Sequence, residues 1–341
     1  MNTTAMNAGS TKTGTPLNTF AWLLKREYWE YRGGFLWTPA IIALAFLALF
    51  LIVLATAELA AKQHGINVNG IQLDMLTQNL SPENVAKLNA GMDIALLTIG
   101  FPIGIALFFV VFFYLLGSLY NDRSDRSVLF WKSLPISDSQ TVLAKVVAAC
   151  VIAPVLAALA MIALQLGFLV LMTLFAAVNG VNAISVLWSP LRLIRLWLMM
   201  ALLIPINALW ALPTIGWLLL CSSFVRSKPF LWAVLLPVIV GVIVSSAKLM
   251  QDMALPSAWF WKHVVGRILF SVLPGSWMDQ SMFKALEHMD SGRSDLLSPV
   301  LSLDTIQVLM VSPELWIGAA AGAAMIAAAI YFRRRRTEAY A

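Results

Sequence analysis

Charge is scarce in this chain of 341 residues: 12% are Asp, Glu, Lys or Arg, where an ordinary soluble domain carries about 25%. That shortage excludes a water-soluble globular enzyme, and with 11% aromatic residues it also excludes a disordered chain, which would be charge-rich and aromatic-poor. Cysteine is almost absent. Cys150 and Cys221 both lie within apolar runs, where a thiol packs as a small hydrophobe, so neither a disulfide framework nor a CxxC site can be drawn. The three histidines, His64, His263 and His288, have no HExxH-like spacing and give no reason to expect a metal site. No Gly-Lys pair occurs, hence no Walker A loop to cradle a nucleotide's phosphates.

What the chain has instead is apolar length: 60% of residues are hydrophobic and the mean hydropathy is +0.82. Crossing an apolar layer of about 30 Å takes about 20 helical residues. Six stretches qualify, at 36–57, 94–119, 142–178, 194–223, 229–248 and 314–332. The expected fold is all-α, a polytopic membrane protein with six transmembrane helices. The third uncharged run continues past position 178, but Asn179-Gly180-Val181-Asn182 interrupts it with turn formers, so it reads as one long helix and then an apolar interfacial segment. The first run is too long for a signal peptide's apolar region and begins too far into the chain, and reads as a retained helix.

Basic residues sort by side. With the N-terminus inside, 14 of the 23 Lys and Arg but only 6 of the 17 Asp and Glu fall on the inner face. This places both termini in the cytoplasm, with 333–341 as a basic tail. The basic pI is then a topology signal, and no soluble basic domain supports nucleic-acid binding. Helix starts agree. Ser137 and Gln140 have capping-box spacing at the foot of the third span, and Ser312-Pro313-Glu314 offers an N-cap hydroxyl, a proline and a carboxylate at the start of the last.

Residues 1–16, rich in Thr, Asn and Gly, read as a disordered tail. Residues 17–32 read as an amphipathic elbow helix on the membrane surface. Leu17, Phe20, Ala21, Leu24, Tyr28 and Tyr31 form its apolar face, Lys25, Arg26, Glu27 and Glu30 are largely opposed, and Trp22 and Trp29 lie at the edge. Two outer segments follow from the topology, 58–93 and 249–312. In the first, Ser81-Pro82-Glu83 starts a short helix ending near Gly91. In the second, residues 258–277 are too apolar for a solvated loop and read as a re-entrant or interfacial element turning near Pro274-Gly275. Trp259, Trp261, Pro274 and Gly275 are candidates for an outer gate.

Polar groups at membrane depth, Gln165, Asn207 and Thr214, either line a substrate path or bond one helix to another. Pro102, Pro154, Pro205, Pro213 and Pro237 mark kinks. The aromatic run Phe108–Tyr114 meets lipid or a partner, and Arg192 and Arg195 snorkel to the surface.

One cytoplasmic loop combines both charge signs with aromatics: Asp122, Arg123, Asp125, Arg126, Ser127, then Val128-Leu129-Phe130-Trp131-Lys132 and Ser133-Leu134-Pro135-Ile136-Ser137. A short helix presenting these rings to water is a docking knob for another protein, unless the rings lie back on the headgroups. Here the sequence resembles the permease subunits of bacterial type-2 ABC exporters. Their loop runs from an acidic residue through a Gly or Ser and an apolar stretch to a Leu-Pro element, a Ser and a Lys, filled here by Asp122 or Asp125, Ser127, Leu134, Pro135, Ser137 and Lys145. The more usual Glu-x-Gly-Thr wording is absent. The resemblance implies an export permease of the bacterial inner membrane that works as a dimer, with a second copy or a close paralogue, surrounded by membrane lipids. It also implies a separate ABC ATPase subunit that holds ATP and Mg, this chain binding no cofactor and catalysing no reaction. Asp122, Arg123, Asp125, Arg126, Phe130, Trp131 and Lys132 are then the coupling residues gripped by that ATPase. Two rival readings stand beside it: a permease-like subunit passing mechanical work to an extracytoplasmic partner, and an intramembrane enzyme on lipid-linked substrates. For the enzyme no Ser/His/Asp set, GxSxG element or intramembrane carboxylate pair is found.

Overall fold

The structure is a computed structural model that describes residues 16–63, 82–125, 133, 136–180, 183–246, 258–278 and 303–335. The tail at 1–15, Arg126, Ser127, Phe130, Trp131, Lys132, Leu134, Pro135, His64 and His288 lie outside the described residues, as does the end of the basic tail at 336–341. Among the described residues every regular element is helical, and six helices are long and apolar enough to cross a membrane. This is the architecture of a multi-pass membrane protein.

Helix α1 (Pro16–Arg32) runs through a five-residue π turn, Gly33–Trp37, into α2 (Thr38–Gln63). Tyr31 leaves helical geometry at φ −108°, ψ 16° and bends the chain there. A second π turn, Ala148–Ile152, joins α4 (Asp138–Val147) to α5 (Ala153–Val178). The two turns have one cause. Pro39 and Pro154 each stand two residues after the turn, and a proline ring clashes with the carbonyl four residues back while offering no N–H. The helix widens to accommodate it, so that Thr38 N–H bonds Gly33 O and Ala153 N–H bonds Ala148 O.

Helix α3 (Pro82–Ser124) corrects one expectation: it starts at Pro82 but does not end near Gly91, continuing without a break for 43 residues. A glycine costs a helix only about 1 kcal/mol, too little to end it. At 1.5 Å per residue α3 is about 65 Å long. Helix α5 stops where expected, with Gly180 at φ +72°. The short α6 (Ile184–Leu187) precedes α7 (Pro190–Phe224) and α8 (Pro229–Ser246). Helices α7 and α8 run on through Pro205, Pro213 and Pro237.

After α8 the described chain resumes as a π-helical stretch, Trp261–Gly266, the short α9 (Arg267–Phe270) and turns to Met278. Helices α10 (Leu303–Val311) and α11 (Pro313–Arg335) complete the chain. The Ser137–Gln140 capping box is present, Ser137 Oγ accepting from Gln140 N–H at 3.2 Å and Gln140 Oε1 accepting from Ser137 N–H at 3.3 Å. At Ser312 the hydroxyl instead turns back to donate to Leu309 O at 2.7 Å.

Packing is tightest between α7 and α11. A Cβ added at Gly216 would strike the Gly322 carbonyl, and one at Gly322 would strike the Leu212 backbone. The Gly318-x-x-x-Gly322 spacing therefore lets two backbones touch, as small residues do where helices associate in lipid. Outward faces stay apolar, as at Ile41, Leu44, Leu235, Ile239 and Ile243, which suits hydrocarbon rather than water. The aromatic run is divided: Phe108, Phe112 and Tyr114 are buried, while Phe109 and Phe113 are more than half exposed.

Candidate functional site

Helix α1 buries a face shifted from the one its hydrophobic pattern favours: Phe20, Leu24, Tyr28 and Tyr31 are only partly buried. Leu23 and Glu27 point inward, and Trp22 and Trp29 outward. A carboxylate cannot be buried without partners, and Glu27 has two. Its Oε1 lies 3.2 Å from Lys145 Nζ, and its Oε2 accepts from the Tyr114 hydroxyl at 2.8 Å. Lys145 Nζ is also 3.7 Å from Asp122 Oδ2. Asp122 in turn accepts from Arg333 Nη1 at 3.1 Å, and Arg333 Nε donates to Asp138 Oδ1 at 3.0 Å. The result is a chain of five charged side chains from α1, α3, α4 and α11. Four of them are almost fully buried, with Lys145 at 0% exposure. Arg334 Nη2 adds a bond to Ser139 Oγ at 3.0 Å.

A second clamp sits beside the first. Ser222 Oγ, on α7, accepts the N–H groups of Leu119 and Tyr120 at 3.0 and 2.9 Å. Arg123 donates back to the carbonyls of Ser222 and Val225 at the end of α7, where backbone oxygens have no helical partner and a cation is favoured by the dipole. The ends of α1, α3, α4, α7 and α11 are thus locked together at one end of the bundle. The segment between α3 and α4, expected to be the coupling loop, leaves from this lock and returns to it.

The coupling candidates divide accordingly. Asp122 is buried within the ion chain, Arg123 is the partly buried clamp on α7, and Asp125 is exposed. Arg126, Phe130, Trp131 and Lys132 lie outside the described residues.

The three path candidates do not converge. Gln165, fully buried on α5, donates from Nε2 to Leu96 O at 3.1 Å and accepts from Trp197 Nε1 at 2.9 Å. Asn207 Oδ1 accepts from Trp277 Nε1 at 3.0 Å. Thr214 Oγ1 donates to Arg267 O at 2.9 Å and accepts from Ser271 N–H at 3.0 Å. Each bonds one helix or segment to another. Asn207 and Thr214 anchor the 258–278 segment on α7.

Of the gate candidates, Trp261 donates to Ser245 Oγ at 2.9 Å and packs on Gly241 of α8. Pro274 would meet a Cβ at Gly104 of α3 at 3.5 Å, and Gly275 takes φ +82° at the turn. Trp259 stacks on His263 with ring centres 4.9 Å apart. Arg192 pairs with Asp93 at 3.4 Å and donates to Leu187 O at 2.9 Å, while Arg195 is exposed. Among the described residues no group of His, Cys, Asp and Glu is arranged to hold a metal.

In the sequence, Glu27, Tyr114, Lys145, Asp138 and Arg333 take other places, on a polar helix face, in an aromatic run, at helix starts and in a basic tail, and are not brought together. Comparison of the chain with protein-family models, with curated proteins and with solved structures finds no match.

Proposed function

We propose that the chain is the transmembrane permease subunit of an ABC-type exporter, dimerising around an export path and driven by a separate ATP-hydrolysing subunit. One observation carries this reading. The loop that resembles a coupling element is rooted at both ends, through Asp122 and through Asp138 and Lys145, in a buried ion chain that also holds the first and last helices. Force applied to Asp125 and the aromatic segment beyond it would be passed through a stiff electrostatic joint to α1 and α11 at once, as an ATP-driven permease requires. In this reading the joint lies on the cytoplasmic side, where the Lys and Arg excess belongs, α1 is the elbow helix, and residues 258–278 form a re-entrant element at the outer end.

A second reading draws on α3, whose roughly 65 Å length is about twice the hydrocarbon thickness. A rigid extension beyond the membrane suits a permease that transmits work to an extracytoplasmic partner without moving a solute.

The deciding experiment is co-expression with an ATPase subunit encoded in an adjacent reading frame, followed by co-purification and measurement of ATP turnover in lipid. A stable complex with turnover altered by the permease supports the proposal. Failure of any such ATPase to bind overturns it.

A further inference from the structure

At the far end of α11 from the ion joint, about 28 Å along the helix, a cavity of about 490 Å³ lies between α11, the 259–270 helical segment and Pro213 of α7. That volume falls in the range of small-molecule sites, about 300–1,000 Å³. Its polarity is graded. Glu314, His263 and Arg267 stand at one end, and Ile317, Ala321 and Met325 continue down a single face of α11. From Glu314 to Met325 the helix rises about 16 Å, so the cavity is a groove with a charged mouth and an apolar floor.

Arg267 is positioned with unusual care for a cation in such surroundings. Its backbone carbonyl is fixed by Thr214, its guanidinium carbon lies 3.6 Å from the centre of the Trp210 ring, and its Nη2 rests against Gly318, where any Cβ would collide with it. Nη2 is buried and has no hydrogen-bond partner among the described residues. Arg267 also lines the groove, and a forked cation beside an apolar floor suits a phosphate oxygen. One helical turn towards the mouth, Glu314 Oε1 lies 3.4 Å from His263 Nε2, and the carboxylate is more than half exposed. The mouth therefore offers a cation and an anion about 6 Å apart along α11, matching a headgroup that carries both signs.

We propose that this groove binds an acyl-chain amphiphile with a phosphoethanolamine headgroup, its phosphate on Arg267, its ammonium on Glu314 and its chain along Ile317, Ala321 and Met325. The proposal needs only that α11 crosses a membrane. It is independent of any ATPase, so the two readings can fail separately.

The test is native mass spectrometry of the purified full chain equilibrated with phosphatidylethanolamine, phosphatidylglycerol or phosphatidylcholine of equal chain length. Phosphatidylethanolamine should be retained roughly tenfold better than either of the others, the size of one hydrogen bond to a charged group. Arg267→Gln should reduce retention of all three lipids by a similar factor, since each carries the phosphate. Glu314→Gln should abolish the preference for phosphatidylethanolamine alone, and Ala321→Trp, at an exposed position on the groove, should displace all three. Soluble phosphoethanolamine should leave no adduct. Equal retention of the three lipids, or binding unchanged by Glu314→Gln and Ala321→Trp, overturns the proposal. Both of those positions are exposed, so these two variants decide the question even if Arg267→Gln fails to fold.

Discussion

Lys145 and Glu27 meet across 118 positions of sequence, Nζ to Oε1 at 3.2 Å, with each side chain 1% exposed. Such a pair is asymmetric in its energetics. Its net contribution over two well-packed apolar residues is small, but losing one member leaves the other charged, dry and unpaired, at about 3–5 kcal/mol. Lys145→Met should therefore destabilise the protein by about that amount, since it leaves buried Glu27 with no cation and only the Tyr114 hydroxyl, while Asp122 keeps Arg333. The double variant Glu27→Gln with Lys145→Met should recover part of the loss. A double-mutant cycle on thermal unfolding in detergent measures the coupling, and additive effects would show that the two residues do not stabilise each other.

The coupling candidates should separate by burial. Asp125→Ala, at an exposed position, should leave expression and thermal stability unchanged and lower the ATPase turnover of the proposed complex; Trp131→Ala should lower that turnover too. Asp122→Asn should instead lower stability, because Asp122 lies between Lys145 and Arg333 within the protein. Measuring turnover and melting temperature on the same preparations distinguishes the two effects. Unchanged turnover in both Asp125→Ala and Trp131→Ala would remove the loop from the mechanism.

The six apolar helices, the Ser137–Gln140 capping box and the stop after α5 are legible in the sequence because each rests on local chemistry: run length, a fixed spacing, a glycine free to take positive φ. The continuity of α3 is less so, since Gly91 weakens a helix without having to end it. The ion joint is hidden for a different reason. Glu27 reads as part of a polar helix face and Asp122 as part of an exposed loop, and nothing local to either shows that Lys145 and Arg333 arrive from distant helices to replace water. The Gly318-x-x-x-Gly322 spacing, by contrast, is present in the sequence and has a physical meaning on its own, as a place where another backbone comes close.

That close approach yields a stability prediction. Gly322→Val places a branched side chain against the Leu212 backbone, where no flexible side chain can give way. Overpacking of this kind costs about 1–3 kcal/mol, sometimes more. Ala324→Val, on an exposed position of the same helix, should be nearly neutral. Equal melting temperatures for the two variants would contradict the α7–α11 crossing.

The last prediction concerns Thr214, which joins α7 to the 258–278 segment through two hydrogen bonds at once. Thr214→Val preserves the side chain's shape and removes its hydroxyl; Arg267 O keeps the Ser271 hydroxyl, but the buried Ser271 N–H loses its acceptor, at a cost of about 1–3 kcal/mol. Because the hydroxyl serves only the Arg267–Ser271 stretch, while Trp261, Ser276 and Trp277 keep their own anchors on α8 and α7, the loss should be local. Hydrogen exchange should rise at residues 267–277 while the amides of α3 and α4 near the ion joint keep their protection. Thr214→Ser, which retains the hydroxyl, should restore the native exchange pattern. A uniform rise across both ends of the bundle would instead make Thr214 a general core residue and leave the segment's position to Asn207 and Trp277.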